Sequence, residues 1–305
     1  MTKVIIDTDP GTDDAMALMM ALQSPDLEVM GLTTVGGNAT LAHTTRNTLR
    51  VLEYLDRTEV PVHAGASRPL KGGFQYAYYF HGPGGLTARM PRPSLKPRAA
   101  SAVDFLLEAT RSEPGEVVLI ALGPLTNVAK ALLEEPRLKE RMREIFVMGS
   151  AVGVPGNVTP YAEFNFYNDP RAANIVLSSG VPTTLVGLDV CDQVFLEADD
   201  VGRFGDSRAE SLAARMLKNW FRAQPNGDRY NLCDPLTILA AVQPDLLTYN
   251  AAEVSVKESD SEFLGKTEAS FGGGRVRVAV AVDVADAMAE FRSMLASGGE
   301  SSVFR

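Results

Sequence analysis

Asp7-Thr-Asp9-Pro-Gly11-Thr-Asp13-Asp14 puts four carboxylates within eight residues, right after the apolar run Val4-Ile5-Ile6 and just before an Ala-, Leu- and Met-rich stretch. Capping and the helix dipole account for one or two aspartates at a helix start. Four in a tight Pro-Gly turn would repel one another, and at least one would hold a proton unless a cation neutralised them. An all-oxygen donor set with no histidine nearby suits a hard ion, Ca²⁺ or Mg²⁺, better than zinc. Taken alone, Asp7-x-Asp9-x-Gly11-Thr12 also superficially fits a Mg²⁺-dependent, haloacid-dehalogenase-like phosphatase, with Asp7 as nucleophile and Asp9 as acid. The doubled Asp13-Asp14 fits that chemistry poorly, because phosphate at a helix start calls for amides or cations.

The elements that must hold this loop alternate in period. Strand-like runs at Val4–Ile6, Leu27–Val35, Val117–Leu122, Glu144–Met148 and Thr183–Leu188 are separated by helical patterns at Ala15–Leu22, 41–55, 101–110, after Pro124, and Asp169–Leu177. Apolar strands separated by helices predict an α/β fold with a mostly parallel central sheet covered on both faces. Glu253 to Val282, broken at Gly272-Gly273-Gly274, reads as a small C-terminal antiparallel extension, and Asp283 to Leu295 as a last helix. With no repeat, low-complexity tract or linker, residues 1–305 are expected to form a single domain. Segments 65–98, 150–168 and 223–233 lack periodicity and are long enough to be functional loops. Ligands of open parallel sheets bind beyond the carboxyl ends of the strands, where the acidic loop falls.

Composition narrows the partners. A net charge of −9 over 305 residues argues against nucleic acid or an anionic membrane surface. No apolar run reaches the ~18–20 residues that span a bilayer, and the first residues run straight into a strand, so a cytoplasmic protein without a signal peptide is expected. Two cysteines, Cys191 and Cys233, are too few for a disulfide framework or a cysteine-built zinc site.

The segment Val4 to Ala15 closely resembles the signature of the calcium-dependent nucleoside hydrolases. The likeness continues, in the family's order, through Thr33-Thr-Val-Gly-Gly-Asn38, Leu122-Gly-Pro-Leu-Thr-Asn127, Met148-Gly-Ser150, Gly156-Asn157, Ala162-Glu163-Phe164-Asn165, Val186-Gly-Leu-Asp189 and Cys233-Asp234-Pro235. The resemblance implies hydrolysis of the N-glycosidic bond of ribonucleosides to ribose and free base. It implies one Ca²⁺ held by Asp9, Asp14, Asp234 and the Leu122 carbonyl, with Asp9 also the general base for the attacking water. Asp13, Asn157, Glu163, Phe164 and Asn165 would bind substrate, mainly the ribose hydroxyls, while Asn38 supports the metal and its water. It also implies a homodimer or homotetramer. Such a set suits the reaction, since carboxylates and amide oxygens stabilise the positive charge that builds on the sugar.

One position departs from the pattern. Many members carry a histidine before the final aspartate, where it helps protonate the leaving base; here it is Cys233, and a neutral thiol is a weak donor. His81, Arg229 and Tyr230, with Asp228, are the other candidates for leaving-group contacts. A calcium-dependent nucleoside- or ribose-binding protein with little activity is the alternative that the cysteine keeps open. Asp189, His43 and His63 read as structural, and Trp220-Phe221 as packing or an interface. The aromatic stretch Phe74 to Phe80 reads as closing over a base or packing its loop.

Overall fold

The computed structural model describes residues 1–224, 227–259 and 262–297. Residues 225 and 226, inside the expected 223–233 loop, therefore lie outside it. The strands in chain order are β1 (Thr2–Thr8), β2 (Leu27–Thr34), β3 (Val62–Ala64), β4 (Val117–Ala121), β5 (Met142–Met148), β6 (Thr183–Val186), β7 (Phe195–Leu196), β8 (Tyr230–Asn231), β9 (Leu247–Val256), β10 (Thr267–Phe271) and β11 (Val276–Val282). The helices are α1 (Thr12–Gln23), α2 (Leu41–Tyr54), α3 (Tyr78–His81), α4 (Ala102–Ser112), α5 (Thr126–Glu134), α6 (Leu138–Arg141), α7 (Phe164–Asn168), α8 (Pro170–Leu177), α9 (Leu188–Cys191), α10 (Arg208–Ala223), α11 (Cys233–Val242) and α12 (Val284–Ala296).

Nine strands form one sheet in the order β10-β9-β11-β6-β5-β4-β1-β2-β3. From β3 to β11 every pairing is parallel, and only β11-β9 and β9-β10 are antiparallel. The expected antiparallel extension is therefore an edge of the main sheet, joined to it through β11 beside β6. After β1 the chain goes to β2 and β3 on one side and to β4, β5 and β6 on the other. Neighbouring loops diverge at that switch and leave a crevice at the strand ends.

Side chains along β1 alternate between the two faces of the sheet. Val4 and Ile6 join the core that α1, α10, α11 and α12 cover, while Ile5 joins the core beneath α4, α5 and α8. From Ala15 to Leu22 every side chain of α1 is buried, so this helix is apolar all round. By contrast α10 is amphipathic. It starts with a Ser207–Glu210 capping box and buries Ala209, Leu212, Ala213, Met216, Leu217 and Trp220 at helical spacing.

Two expected loops contain short helices: α3 lies within 65–98 and α7 within 150–168. Leu188, expected to end a strand, instead opens α9. His63 and His43 are structural, as expected. His63 stacks on Phe105 at 4.1 Å, and the His43 Nδ1 lies 2.8 Å from the Tyr78 hydroxyl.

Asn127 ties the strand ends together. Its fully buried Nδ2 donates to Asp7 Oδ1 (2.7 Å) and the Thr34 carbonyl (3.0 Å), and its Oδ1 accepts from the Ala66 amide (2.8 Å). Removing it leaves the Ala66 amide without this partner and takes one of two donors each from Asp7 Oδ1, which keeps Thr33, and from the Thr34 carbonyl, which keeps the Gly65 amide. Asn127→Ala should therefore lower the unfolding free energy by about 3 kcal/mol in urea titrations. A loss under about 1 kcal/mol would contradict this account.

Candidate active site

The acidic turn leaves β1 and enters α1, so its carboxylates gather at the switch between β1 and β4. Asp14 is held from all sides. Its Oδ1 accepts from the Thr8 hydroxyl (2.6 Å) and the Asp9 amide (3.2 Å), and its Oδ2 from the Gly11 amide (2.9 Å) and Asn38 Nδ2 (3.0 Å). Asp9 is wholly buried, with Oδ2 accepting the Asn38 amide at 2.6 Å and Oδ1 unpartnered among the described residues. It fits only because its neighbours lack side chains. A Cβ on Gly37 would lie 2.1 Å from Asp9 Oδ2, and one on Gly123 2.4 Å from Oδ1.

Asp234, the second residue of α11, comes from the far end of the chain to meet this loop. Ligand atoms of Asp13, Asp14 and Asp234 lie within 4.8 Å of one another. The closest triad thus contains Asp13, expected as a sugar contact, and has Asp9 beside it. Burial first, then the neighbouring aspartates, hold Asp9 and Asp234 far above the ordinary carboxylate range; Asp13 is pushed up to about 6, chiefly by burial. So much negative charge in one buried place, with an unpartnered Asp9 oxygen, suits a hard divalent cation.

A cavity of about 480 Å³ opens above this cluster. Asp13, Asn38, Leu122, Asn157, Glu163, Phe164, Asn165, His81, Arg229, Cys233 and Asp234 all line it. Asn165 Nδ2 donates to the Leu122 carbonyl (2.8 Å), which keeps a second lone pair. Asn157 partly follows its plainer reading as a turn residue, accepting the Phe164 amide at 2.9 Å. Asp189 is structural: it receives the Val152 and Gly153 amides.

Tyr230 is not on the cavity wall among the described residues; its hydroxyl donates to Asp13 Oδ1 at 3.3 Å. Arg229 lies 4.6 Å over the Phe195 ring, half exposed beside Asp228. Trp220, read from its helical pattern as packing, does pack but also lines the cavity. Its ring meets Phe80 at 5.2 Å and Tyr230 at 4.9 Å, forming an aromatic wall with Tyr79 and Phe80. Its place on the buried face of an amphipathic helix gave no sign that the helix end reaches the site.

His81 and Cys233 are less acidic than an imidazolium would be. The Thr12 amide donates to His81 Nδ1 (3.1 Å), which leaves Nε2 as the protonated nitrogen of a neutral ring. Burial lowers the His81 pKa to about 4, against the pull of Asp14. Interaction with the Cys191 thiol, then burial, holds the Cys233 thiol well above the usual range.

The cavity thus joins an acidic cluster able to hold a metal ion, a polar lining of Asn and Glu, and an aromatic lining. The sequence matches the family described as inosine-uridine preferring nucleoside hydrolase over residues 4–289. It is 41% identical to "Uridine nucleosidase 1" of Arabidopsis thaliana over 262 residues, covering 84% of this chain and 78% of the relative. It is 37% identical to the pyrimidine-specific ribonucleoside hydrolase RihA of Salmonella paratyphi C over 292 residues, covering 92% and 93%. Among solved structures, the plant nucleoside hydrolase PpNRh1 superposes with TM-score 0.91 at 35% identity, covering 96% of this chain and 98% of that one. A purine-preferring ribonucleoside hydrolase from Gardnerella vaginalis gives TM-score 0.91 at 32% identity, covering 97% and 98%. The chain belongs to the inosine-uridine preferring nucleoside hydrolase family. It is a nucleoside N-ribohydrolase. No helix among the described residues is long and apolar enough to cross a membrane.

Glu163 sits at the head of α7 and is almost wholly buried. Its Oε1 accepts the Asn165 amide (2.8 Å), and its Oε2 the Phe166 (3.0 Å) and Ser150 (3.3 Å) amides. Burial outweighs these donors and raises its pKa to about 7. A raised carboxyl favours the folded state at low pH. It contributes about 3 kcal/mol below the usual glutamate range, and that is lost as pH rises through about 7. In chelator, thermal stability of the wild type should fall between pH 5 and 8 more steeply than that of Glu163→Gln. Parallel profiles would refute the assignment.

Proposed function

We propose that this enzyme hydrolyses uridine and related ribonucleosides using one Ca²⁺, with Asp9 as general base. The observation that carries the base preference is the lack of a strong acid on the base side. His81 is a neutral Nε2–H donor, and Cys233 is a neutral thiol held well above its usual range by the Cys191 thiol and burial. A base that departs with its negative charge spread onto ring carbonyls needs only hydrogen-bond donation, as uracil does. A purine that must be protonated on a ring nitrogen is served less well.

Asp9, Asp14, Asp234 and the Leu122 carbonyl would hold the cation, with Asp13 within reach of the same cluster. The cation supplies charge that binds the ribose diol and makes an adjacent water easier to deprotonate. Asp9 takes that proton, its free Oδ1 being the only described oxygen of the pair without a partner. Asn38 keeps Asp9 and Asp14 in register through its amide and side chain. Glu163, Asn165 and Asn157 hold the sugar hydroxyls and place the anomeric carbon beside the water. Carboxylates below the ring stabilise the oxocarbenium charge as it develops. Tyr79, Phe80 and Trp220 flank the base and keep bulk water from it. A homodimer or homotetramer is part of this reading, and light scattering tests it directly.

Ribose release from uridine, cytidine, inosine and adenosine, with calcium and with chelator, is the decisive assay. Uridine should rank above inosine, and chelator should stop both. Chelator-insensitive release would overturn the cation's role, and faster inosine turnover the base preference. Binding without any ribose release would favour a nucleoside-binding protein. Asp9→Ala should lower kcat at least ~10³-fold with the thermal transition retained. Cys233→His should raise inosine turnover relative to uridine, because it restores an acid beside the base.

A further inference from the structure

Shortly before α3 the chain passes through Lys71-Gly72-Gly73, all three exposed. Gly72 takes φ 83, and a Cβ on Gly72 or Gly73 would meet nothing within 4 Å. Such a stretch has wide conformational freedom unless its ends are held. Two consecutive side chains hold them. Asp169 Oδ2 accepts the Leu70 amide at 2.8 Å and is itself fixed by the Thr126 hydroxyl at 2.7 Å. Asn168, the last residue of α7, takes both main-chain groups of Gln75: its Oδ1 accepts the amide at 2.7 Å, and its Nδ2 donates to the carbonyl at 3.4 Å. The same Nδ2 donates to the Phe164 carbonyl, one turn back in α7, at 3.2 Å. Asn168 is buried and is not on the active-site cavity among the described residues. The proposed reaction makes no use of it.

We propose that Asn168 is a positioning residue for the aromatic side of the cavity: by clamping Gln75 to α7 it fixes where the chain enters α3, and with it the placement of Tyr79 and Phe80. Only Tyr76 and Ala77 separate Gln75 from α3. The other holds on this segment lead elsewhere. The Phe74 ring lies against Gly36, and the Ala77 amide donates to the Asn38 carbonyl at 2.9 Å. Beyond them α3 leans on α10, where Phe80 meets the Trp220 ring at 5.2 Å and Gln224 Nε2 donates to the Tyr79 carbonyl at 2.8 Å. The pair of bonds to Gln75 is what joins the entry of α3 to α7, which carries Phe164 and Asn165 on the polar lining. Asn168 therefore sets the spacing between the two linings. Contacts that a base makes before and during bond cleavage alike affect KM and leave kcat alone. His81 has its own hold, the Thr12 amide on Nδ1, so the leaving-group donor stays in place when the clamp is cut. The inference rests on reading Tyr79, Phe80 and Trp220 as the base side, and holds whichever nucleoside is preferred.

The test compares the full-length wild type with Asn168→Ala, both with calcium, in hydrolysis of the best nucleoside and in inhibition by the product ribose. KM should rise at least ~5-fold, in line with two lost hydrogen bonds, while kcat stays within ~3-fold. The inhibition constant for ribose should stay within ~2-fold, because the sugar meets only the polar lining. Trp220 is the single tryptophan of the chain and is buried against Phe80, so acrylamide quenching of its emission reports the seating of α3 with no substrate present. Quenching should increase in the variant. Asn168→Ser, too short to reach Gln75, gives the same readings should the alanine fail to fold. A KM and a ribose constant that rise together would place the loss in the sugar contacts of α7 and overturn the proposal. Unchanged KM or unchanged quenching would overturn it equally. A wild type that releases no ribose would instead refute the reading of the base side, and the quenching result alone would then decide the clamp.

Discussion

Mutual repulsion among buried carboxylates is the constraint on which the rest of this molecule turns. Asp7, Asp9, Asp13, Asp14 and Asp234 converge at the ends of β1 and β4 and the start of α11, and burial raises the pKa of every one of them. No lysine or arginine side chain makes an ion pair with any of the five among the described residues. Neutrality is left to protons or to an added cation. The neighbourhood is built to hold the carboxylates still: Asn38 and Thr8 bind Asp14, Asn127 binds Asp7, and Tyr230 binds Asp13. Gly37 and Gly123 provide the space.

A second constraint shapes the cavity. Its polar and aromatic linings come from different parts of the chain. Asn157 and Glu163 precede α7, and Glu163 is itself fixed by three amides. Ser150, at φ 88, adopts a left-handed backbone to present one of them. That conformation costs a non-glycine residue roughly 1–2 kcal/mol, which the rigid surroundings sustain. The aromatic lining is instead assembled from α3 and the last turn of α10.

Much of this was legible in the residues. The acidic turn, the alternation of strands and helices, and the ordered short motifs located the sheet, the crevice and most of the lining. The misreadings share a cause. Trp220 was seen only as one more apolar residue on a helical face, because periodicity reports that a residue is buried and not what it is buried against. Tyr230 was one of several candidates for a leaving-group contact in its loop, and its hydroxyl donates to Asp13. The packing of α9 against α11 joins two helices far apart in sequence, and no local pattern encodes such a meeting. Leu188 continued an apolar run and so read as strand; Gly187 before it is where the chain turns into α9.

The cation cradle draws on both ends of the chain, with Asp9 and Asp14 following the first strand and Asp234 opening the penultimate helix. It cannot exist until β1, the parallel strands beside it and α11 have all docked, an assembly of high contact order. A bound ion therefore rewards only the finished native state. It would slow unfolding while leaving the folding rate almost untouched, so the enzyme's lifetime in the cell would follow the availability of the ion as well as its turnover.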